Sequence, residues 1–247
     1  MDRIELECVR CGTTFRGAED RYACEKCGGG LQIVLDVSRV RYSDLKRSWR
    51  DRPLGVWRYR ELLPLSGGGE VSLHEGGTAL LRIDLSRVAE GLASVFVKNE
   101  GQNPTGSFKD RGMTVGVTRA RSLGRRRVIC ASTGNTAASL AAYAARAHLE
   151  GIVLVPSGGI ARGKLAQAVF QGARVVAIRG SFDDAMSVVL EAANRLEAYV
   201  LNSINPLRIE GQKTAAFEVF EQLGDRVPEW LVCPVGNGGN LAAYWKG

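Results

Sequence analysis

From residue 95 onward, short apolar runs recur at regular intervals and are separated by longer stretches of helical period. Val95-Phe96-Val97, Val128-Ile129-Cys130-Ala131, Ile152-Val153-Leu154-Val155, Val175-Val176-Ala177-Ile178, Tyr199-Val200-Leu201 and the stretch from Trp230 to Val235 have the length and composition of strands. Between them, Phe108 to Leu123, Thr136 to Ala147, Ala161 to Phe170, Asp183 to Leu196 and Glu210 to Leu223 read as helices, and Leu241 to Trp245 reads as the opening of another. Uninterrupted apolar strands alternating with helices predict an α/β fold whose sheet is mostly parallel and covered on both faces. The preceding region is less regular. Gly67-Gly68-Gly69 and Gly76-Gly77 mark turns within it, and the polar stretch holding Trp49 and Trp57 gives no clear period.

Composition narrows the class. At 247 residues with 45% hydrophobic and 24% charged residues, the chain suits one large globular unit or two modest ones. Lys and Arg number 33 against 26 Asp and Glu, a net charge of +7. That excess favours anionic ligands but is too small to make nucleic acid a partner. The Arg125-Arg126-Arg127 knot reads as a solvated turn. No stretch approaches the roughly 20 apolar residues of a membrane span, and the charged start lacks the apolar core of a signal peptide. A cytoplasmic location and no membrane partner are expected.

Four of the six cysteines form two matching knuckles, Cys8-Val9-Arg10-Cys11-Gly12 and Cys24-Glu25-Lys26-Cys27-Gly28. Two residues between thiolates let both sulfurs reach one tetrahedral ion, and the following glycine frees the backbone to turn. Four soft ligands leave no open position, so a structural zinc held by Cys8, Cys11, Cys24 and Cys27 is expected. Cys130 and Cys233 lie in apolar runs and read as buried packing residues.

Three loops carry the candidate chemistry. The first runs from Lys98 to Arg111 and delivers Lys109 to the start of a helix, where the helix dipole lowers an amine's pKa. A free amine is what covalent attack on a carbonyl needs. The second, Ser132-Thr133-Gly134-Asn135-Thr136, joins a strand to a helix and offers hydroxyls and N–H groups to an anion such as a carboxylate. The third, Gly236-Asn237-Gly238-Gly239-Asn240, is a glycine-rich strand-to-helix turn suited to phosphate. It lacks both the Lys-Ser/Thr end of a nucleoside-triphosphate loop and the dinucleotide pattern.

Together these segments resemble the fold-type II pyridoxal-phosphate enzymes. Within that group, the run Asn103 to Arg111, Asn202-Ser203-Ile204-Asn205-Pro206 and Arg208-Ile209-Glu210-Gly211-Gln212-Lys213 are similar to the threonine synthases; the likeness covers residues 70–247. The resemblance implies that Lys109 carries pyridoxal phosphate covalently, with Phe108 beside it. It implies that Asn135 meets the ring hydroxyl, and that Gly236, Asn237, Gly238, Gly239 and Asn240 hold the cofactor phosphate. Ser132, Thr133 and Thr136 would grip the substrate carboxylate. Asn202, Ser203, Arg208 and Asn237 would receive a substrate phosphate, for which a guanidinium fork is well shaped. One departure is Gly76-Gly77-Thr78-Ala79, where the family has Gly-x-Thr-Pro.

The implied architecture is a two-lobed α/β fold behind a zinc ribbon. The ribbon would occupy residues 1–30, a large lobe 31–123 and 204–247, and a small lobe 124–203. Family members continue past the point where this sequence stops, so the last part of the large lobe, including the group that meets the pyridine nitrogen, reads as incomplete. The implied reaction converts O-phospho-L-homoserine and water to L-threonine and phosphate, in a homodimer whose partner is a small phospho-amino acid. Other readings stay open: a serine or threonine dehydratase, a phosphoserine β-replacement enzyme, a non-catalytic homologue, or a zinc-ribbon nucleic-acid adaptor. The intact Lys109 speaks against the non-catalytic reading, and the ribbon's small share of the chain against the adaptor.

Overall fold

Four parallel strands form the sheet that organises the chain. They are β6 (Arg127–Ala131), β7 (Glu150–Pro156), β8 (Arg174–Ile178) and β9 (Tyr199–Val200), in the order β8-β7-β6-β9. The connecting helices are α3 (Asn135–Arg146), α4 (Arg162–Phe170) and α5 (Phe182–Leu196). Alternate strand residues feed two cores: Val128, Cys130, Val153 and Val155 pack with α3, while Ile129, Ala131, Ile152 and Leu154 pack with Ala185, Val189 and Ala193 of α5. Burial on both faces explains why these strands read as continuous apolar runs. The start of α5 is set by a capping box between Ser181 and Asp184. The computed structural model describes residues 4–16, 20–65, 68–84, 94–157 and 162–247. Ala161, where a helix start was expected, and Gly67, the first residue of an expected turn, lie outside these.

The chain begins with a three-stranded antiparallel sheet of β1 (Glu5–Cys8), β2 (Thr14–Arg16) and β3 (Leu31–Val34), in the order β2-β1-β3. Its third strand thus lies beyond residue 30. The stretch that gave no period forms α1 (Tyr42–Trp49) and a 3-10 turn over Val56–Leu62, joined by edge-to-face contacts among Trp49, Tyr59 and Phe217. β4 (Leu80–Ile83) and β5 (Val95–Lys98) pair antiparallel, so the strand at 95 stands outside the parallel sheet. α2 (Lys109–Ser122) is buried from Asp110 through Ala120.

Three readings need correction. The helix expected over Glu210 to Leu223 is two, α6 (Pro206–Gln212) and α7 (Thr214–Gln222), meeting at Lys213. α6 starts earlier than expected because Asn205 caps it, its side chain accepting the Leu207 N–H, with Pro206 at the first helical position. Trp230 to Val235 forms no strand: it has no ladder partner among the described residues, and Trp230 and Val232 are 84% and 94% exposed. Cys233, in that stretch, is therefore half-buried, whereas Cys130 is buried as expected. α8 (Gly239–Lys246) ends the chain. Two of the three clustered arginines face carboxylates, Arg125 with Asp20 at 2.9 Å and Arg127 with Glu150 at 2.8 Å. Among the described residues no helix is long and apolar enough to cross a membrane.

A buried ion network joins these parts. Arg111 donates to Glu100 through Nε and Nη2, both at 2.7 Å, and to Glu218 through Nη1 and Nη2 at 2.7 and 2.8 Å. Glu218 also accepts from Lys98 Nζ at 2.7 Å and from the Gly77 N–H at 2.8 Å. Burial opposes its charge, but Arg111 and Lys98 hold the carboxyl below its usual range. Removing one member of a buried pair leaves the other uncompensated, so Glu218→Ala should cost about 3–5 kcal/mol. A urea unfolding curve checks this; a midpoint equal to wild type would mean that the network contributes nothing.

Candidate active site

Lys109 is the first residue of α2, and the loop before it is held by its neighbour Asp110. The Thr105 N–H and hydroxyl donate to Asp110 at 2.7 and 2.6 Å, and Ser139 of α3 donates to it at 2.5 Å. Lys164 of α4 adds a bond to the Thr105 carbonyl at 2.9 Å. The Lys109 ammonium stands 4.3 Å from the centre of the Phe108 ring. Burial, and after it the positive charge of Arg208, lower its pKa from 10.5 to about 8. The shift expected from the sequence is present, but burial and Arg208 cause it, where the helix dipole was expected to.

Arg208 reaches this position because α6 lies backbone to backbone against α2. A Cβ on Gly112 would stand 2.6 Å from the Arg208 carbonyl oxygen, and one on Gly211 would stand 1.9 Å from that of Arg111, so only glycine permits the approach. Arg208 is 1% exposed. Its Nη1 donates to the Leu201 carbonyl at 3.0 Å, but Nε and Nη2 have no partner among the described residues. Burial lowers its pKa to about 10, which still leaves it cationic at neutral pH. A buried guanidinium with two free donors is chemically an anion receptor.

The other two loops also end at helix starts. α3 begins after Gly134 with no side-chain cap, the Gly134 N–H going to Ser132 Oγ at 3.1 Å. Ser132, Thr133, Asn135 and Thr136 are all half-buried around this uncapped end. α8 begins after Gly238, whose φ of 80° a side chain would disfavour, and Asn237 Oδ1 accepts the Gly239 N–H at 3.2 Å. Gly239 sits against Ile209, which brings Gly236 to Asn240 beside α6. Ser203 is exposed. Asn202 is different: both polar atoms of its amide are taken by Ala131, at 3.0 and 2.9 Å, so it ties the 202–208 segment to the 132–136 loop. The contacts of Ser139 with Asp110 and of Arg111 with Glu218 escaped the sequence reading because these partners lie far apart along the chain and leave no local spacing signal.

The four knuckle sulfurs converge. Sγ of Cys8 and Cys27 lie 3.5 Å apart, those of Cys11 and Cys24 3.7 Å apart, and all four fall within 4.8 Å of one another. A tetrahedral ion with metal–sulfur bonds of about 2.3 Å sets sulfurs about 3.8 Å apart, so the cluster has the size to hold one.

The model of the pyridoxal-phosphate dependent enzyme family matches residues 71–247, the region that contains all three loops. This chain is a member of the pyridoxal-phosphate dependent enzyme family. It is 53% identical over 241 residues to the threonine synthase of Methanocaldococcus jannaschii, covering 97% of this chain and 59% of that protein. It is 49% identical over 244 residues to the threonine synthase of Methanosarcina acetivorans, covering 98% of this chain and 59% of that one. The chain thus spans about three fifths of the length of these relatives. In fold it is similar to a hydrogen sulfide-producing enzyme from Fusobacterium nucleatum, with TM-score 0.60 and 22% identity over 69% of this chain and 59% of that one. A pyridoxal-phosphate dependent enzyme needs an amine that is free near neutral pH, and Lys109 is lowered toward that range.

Because the pKa of Lys109 is depressed, its neutral form should accumulate as pH rises through about 8, below the range of ordinary lysines. Reductive methylation followed by peptide mapping should therefore show Lys109 modified with a midpoint near that pH. Arg208→Met removes a charge that lowers the pKa and should move the midpoint upward. A midpoint near 10.5 in the wild type would contradict the assignment.

Proposed function

We propose that this chain carries threonine synthase chemistry, the conversion of O-phospho-L-homoserine and water to L-threonine and phosphate, with Lys109 bonded to pyridoxal 5'-phosphate. The observation that carries the reading is the buried Arg208, cationic, with two unpaired donors, close enough to Lys109 to lower its pKa. Likeness to threonine synthases near 50% identity over almost the whole chain supports the choice of substrate. The residues present fit the cofactor: a lowered lysine, and two helix starts without side-chain caps, offer an amine and two anion cradles.

In this reading Asn135 hydrogen-bonds the ring hydroxyl, Phe108 lies beside the ring, and Gly236, Asn237, Gly238, Gly239 and Asn240 hold the cofactor phosphate. Bound pyridoxal phosphate supplies an electron sink for negative charge developing on the substrate. Ser132, Thr133 and Thr136 orient the substrate carboxylate. Lys109, once free, takes and returns protons at Cα and Cβ. Ser203, Arg208 and Asn237 receive the phosphate that leaves from Cγ, and water adds at Cβ. Asn202 contributes by fixing Ala131, and with it the carboxylate loop, to the phosphate-receiving segment. Residues 124–203, which contain the whole parallel sheet, form the smaller lobe in this reading. Cys8, Cys11, Cys24 and Cys27 hold a structural zinc, supported by their sulfur spacing.

Losing a charge-assisted contact to the substrate phosphate should cost about 2–5 kcal/mol, or roughly 30- to several-thousand-fold in kcat/KM. Arg208→Ala should therefore lower kcat/KM for O-phospho-L-homoserine by that factor and leave that for L-serine nearly unchanged. Arg208→Lys should recover only part of the loss, because an ammonium lacks the fork. An unchanged ratio between the two substrates would remove phosphate recognition from Arg208 and favour a dehydratase.

For the ribbon, metal analysis should give one zinc per chain, abolished in the double variant Cys8→Ser, Cys11→Ser. Because the donor set leaves no open position, its loss should lower stability more than it changes cofactor absorbance. Zinc retained by the double variant would refute the site.

A further inference from the structure

We infer that the N-terminal ribbon positions the anion-receiving segment 202–208, with Tyr22 as the residue that transmits its placement; this rests on the reading of Arg208 as a phosphate receptor. β9, which leads into that segment, is an edge strand. Along a strand successive N–H groups point to opposite sides. The Leu201 N–H turns inward to the Ile129 carbonyl at 2.9 Å, so the Val200 N–H points out of the sheet edge. Its partner is the hydroxyl of Tyr22, at 3.1 Å. The Tyr22 ring meets Tyr199 edge-on, with ring centres 6.2 Å apart.

From Val200 the connection to Arg208 is short. The Val200 carbonyl accepts from Asn205 Nδ2 at 2.8 Å. Asn205 caps α6 by accepting the Leu207 N–H at 3.0 Å, and its own carbonyl accepts the Arg208 N–H at 3.1 Å. Tyr22, Val200, Asn205 and Arg208 thus form one chain of contacts from the ribbon to the Arg208 backbone, which sets where its side chain starts. Tyr22 stands two residues before Cys24, so the second knuckle sets where its hydroxyl lies.

The ribbon also reaches the other side of the site. β3 packs on α6, and Lys246 of α8 donates to the Ile33 carbonyl at 2.6 Å. α8 is the helix that follows the glycine-rich loop. Between the ribbon and the body lies a cavity of about 30 Å³, lined by Ile4, Leu6, Tyr22, Arg119, Tyr199 and Leu207 among others. The seam is therefore not fully packed, and directed contacts such as Tyr22 to Val200 and Asp20 to Arg125 fix the seating. Tyr22 is a positioning residue: it touches no reacting atom and acts through Asn205 on Arg208.

The test is calorimetric titration of inorganic phosphate into the full chain carrying zinc and pyridoxal phosphate, for wild type, Tyr22→Phe and Arg208→Lys. Tyr22→Phe keeps the ring and removes only the hydroxyl. We expect zinc content and cofactor absorbance unchanged, faster hydrogen exchange at the Val200 amide, and phosphate affinity about three- to tenfold weaker. Asp20→Asn, which weakens the second seating contact, should shift phosphate affinity the same way and serves if Tyr22→Phe does not fold. Faster Val200 exchange with unchanged phosphate affinity would overturn the inference. If wild type binds no phosphate, or Arg208→Lys binds it as well as wild type, the Arg208 reading fails and this inference falls with it; that pattern differs from a failure confined to Tyr22.

Discussion

The rest of the structure depends on Arg111 being neutralised where it is buried. A guanidinium removed from water is costly unless its donors are satisfied, and here Glu100 and Glu218 take it from two directions, with Thr78 and Thr214 completing the set. The four partners come from three parts of the chain: Glu100 from the loop before Lys109, Thr78 from the Gly76–Gly77 turn, and Glu218 and Thr214 from α7. Satisfying one cation therefore fixes three segments against α2. Lys109 is two residues from Arg111 on that helix, so its position follows from the same constraint.

Two glycines convert that fixed helix into a site. Gly112 and Gly211 let α2 and α6 touch at their backbones, and any side chain at Gly211 would collide with the Arg111 carbonyl. The approach sets Arg208 beside Lys109, and two cations near one another in a partly dry region oppose each other's charge. The consequence for Lys109 is an amine that is freed near neutral pH. Packing geometry and acid–base chemistry are here the same fact: widening the helix contact would separate the charges and let the lysine pKa rise.

The sequence revealed the parallel sheet and its helices well, because strands buried on both faces are apolar throughout and most of the turns that lead from a strand into a helix carry glycine or serine. Lys109, the two proposed anion loops and the cysteine knuckles could be picked out as candidates because each has local spacing. What escaped was long-range. Nothing near Glu218 announces that it meets Arg111, and nothing near Tyr22 announces Val200. The missed α1 lies where apolar positions are few, and β4 is only four residues long. Lys213, where the expected long helix divides, carries no breaker residue. Trp230 to Val235 has the composition of a strand, yet composition cannot provide the neighbour that a ladder requires.

The treatment of buried cations separates structure from function within this chain. Arg111, Lys98 and Lys213 each face a carboxylate at 2.7 Å or less. Arg208, as deeply buried, faces a carbonyl and keeps two donors idle, and its charge bears on Lys109 as well. Leaving a buried charge so poorly matched is destabilising by the same physics that makes the other pairs necessary. This imbalance lies where the lowered lysine and the 202–208 segment meet. An arriving anion would remove that cost, so part of its binding free energy is already stored in the ligand-free fold, and the elements that hold Arg208 rigid against solvent decide how much of it is retained.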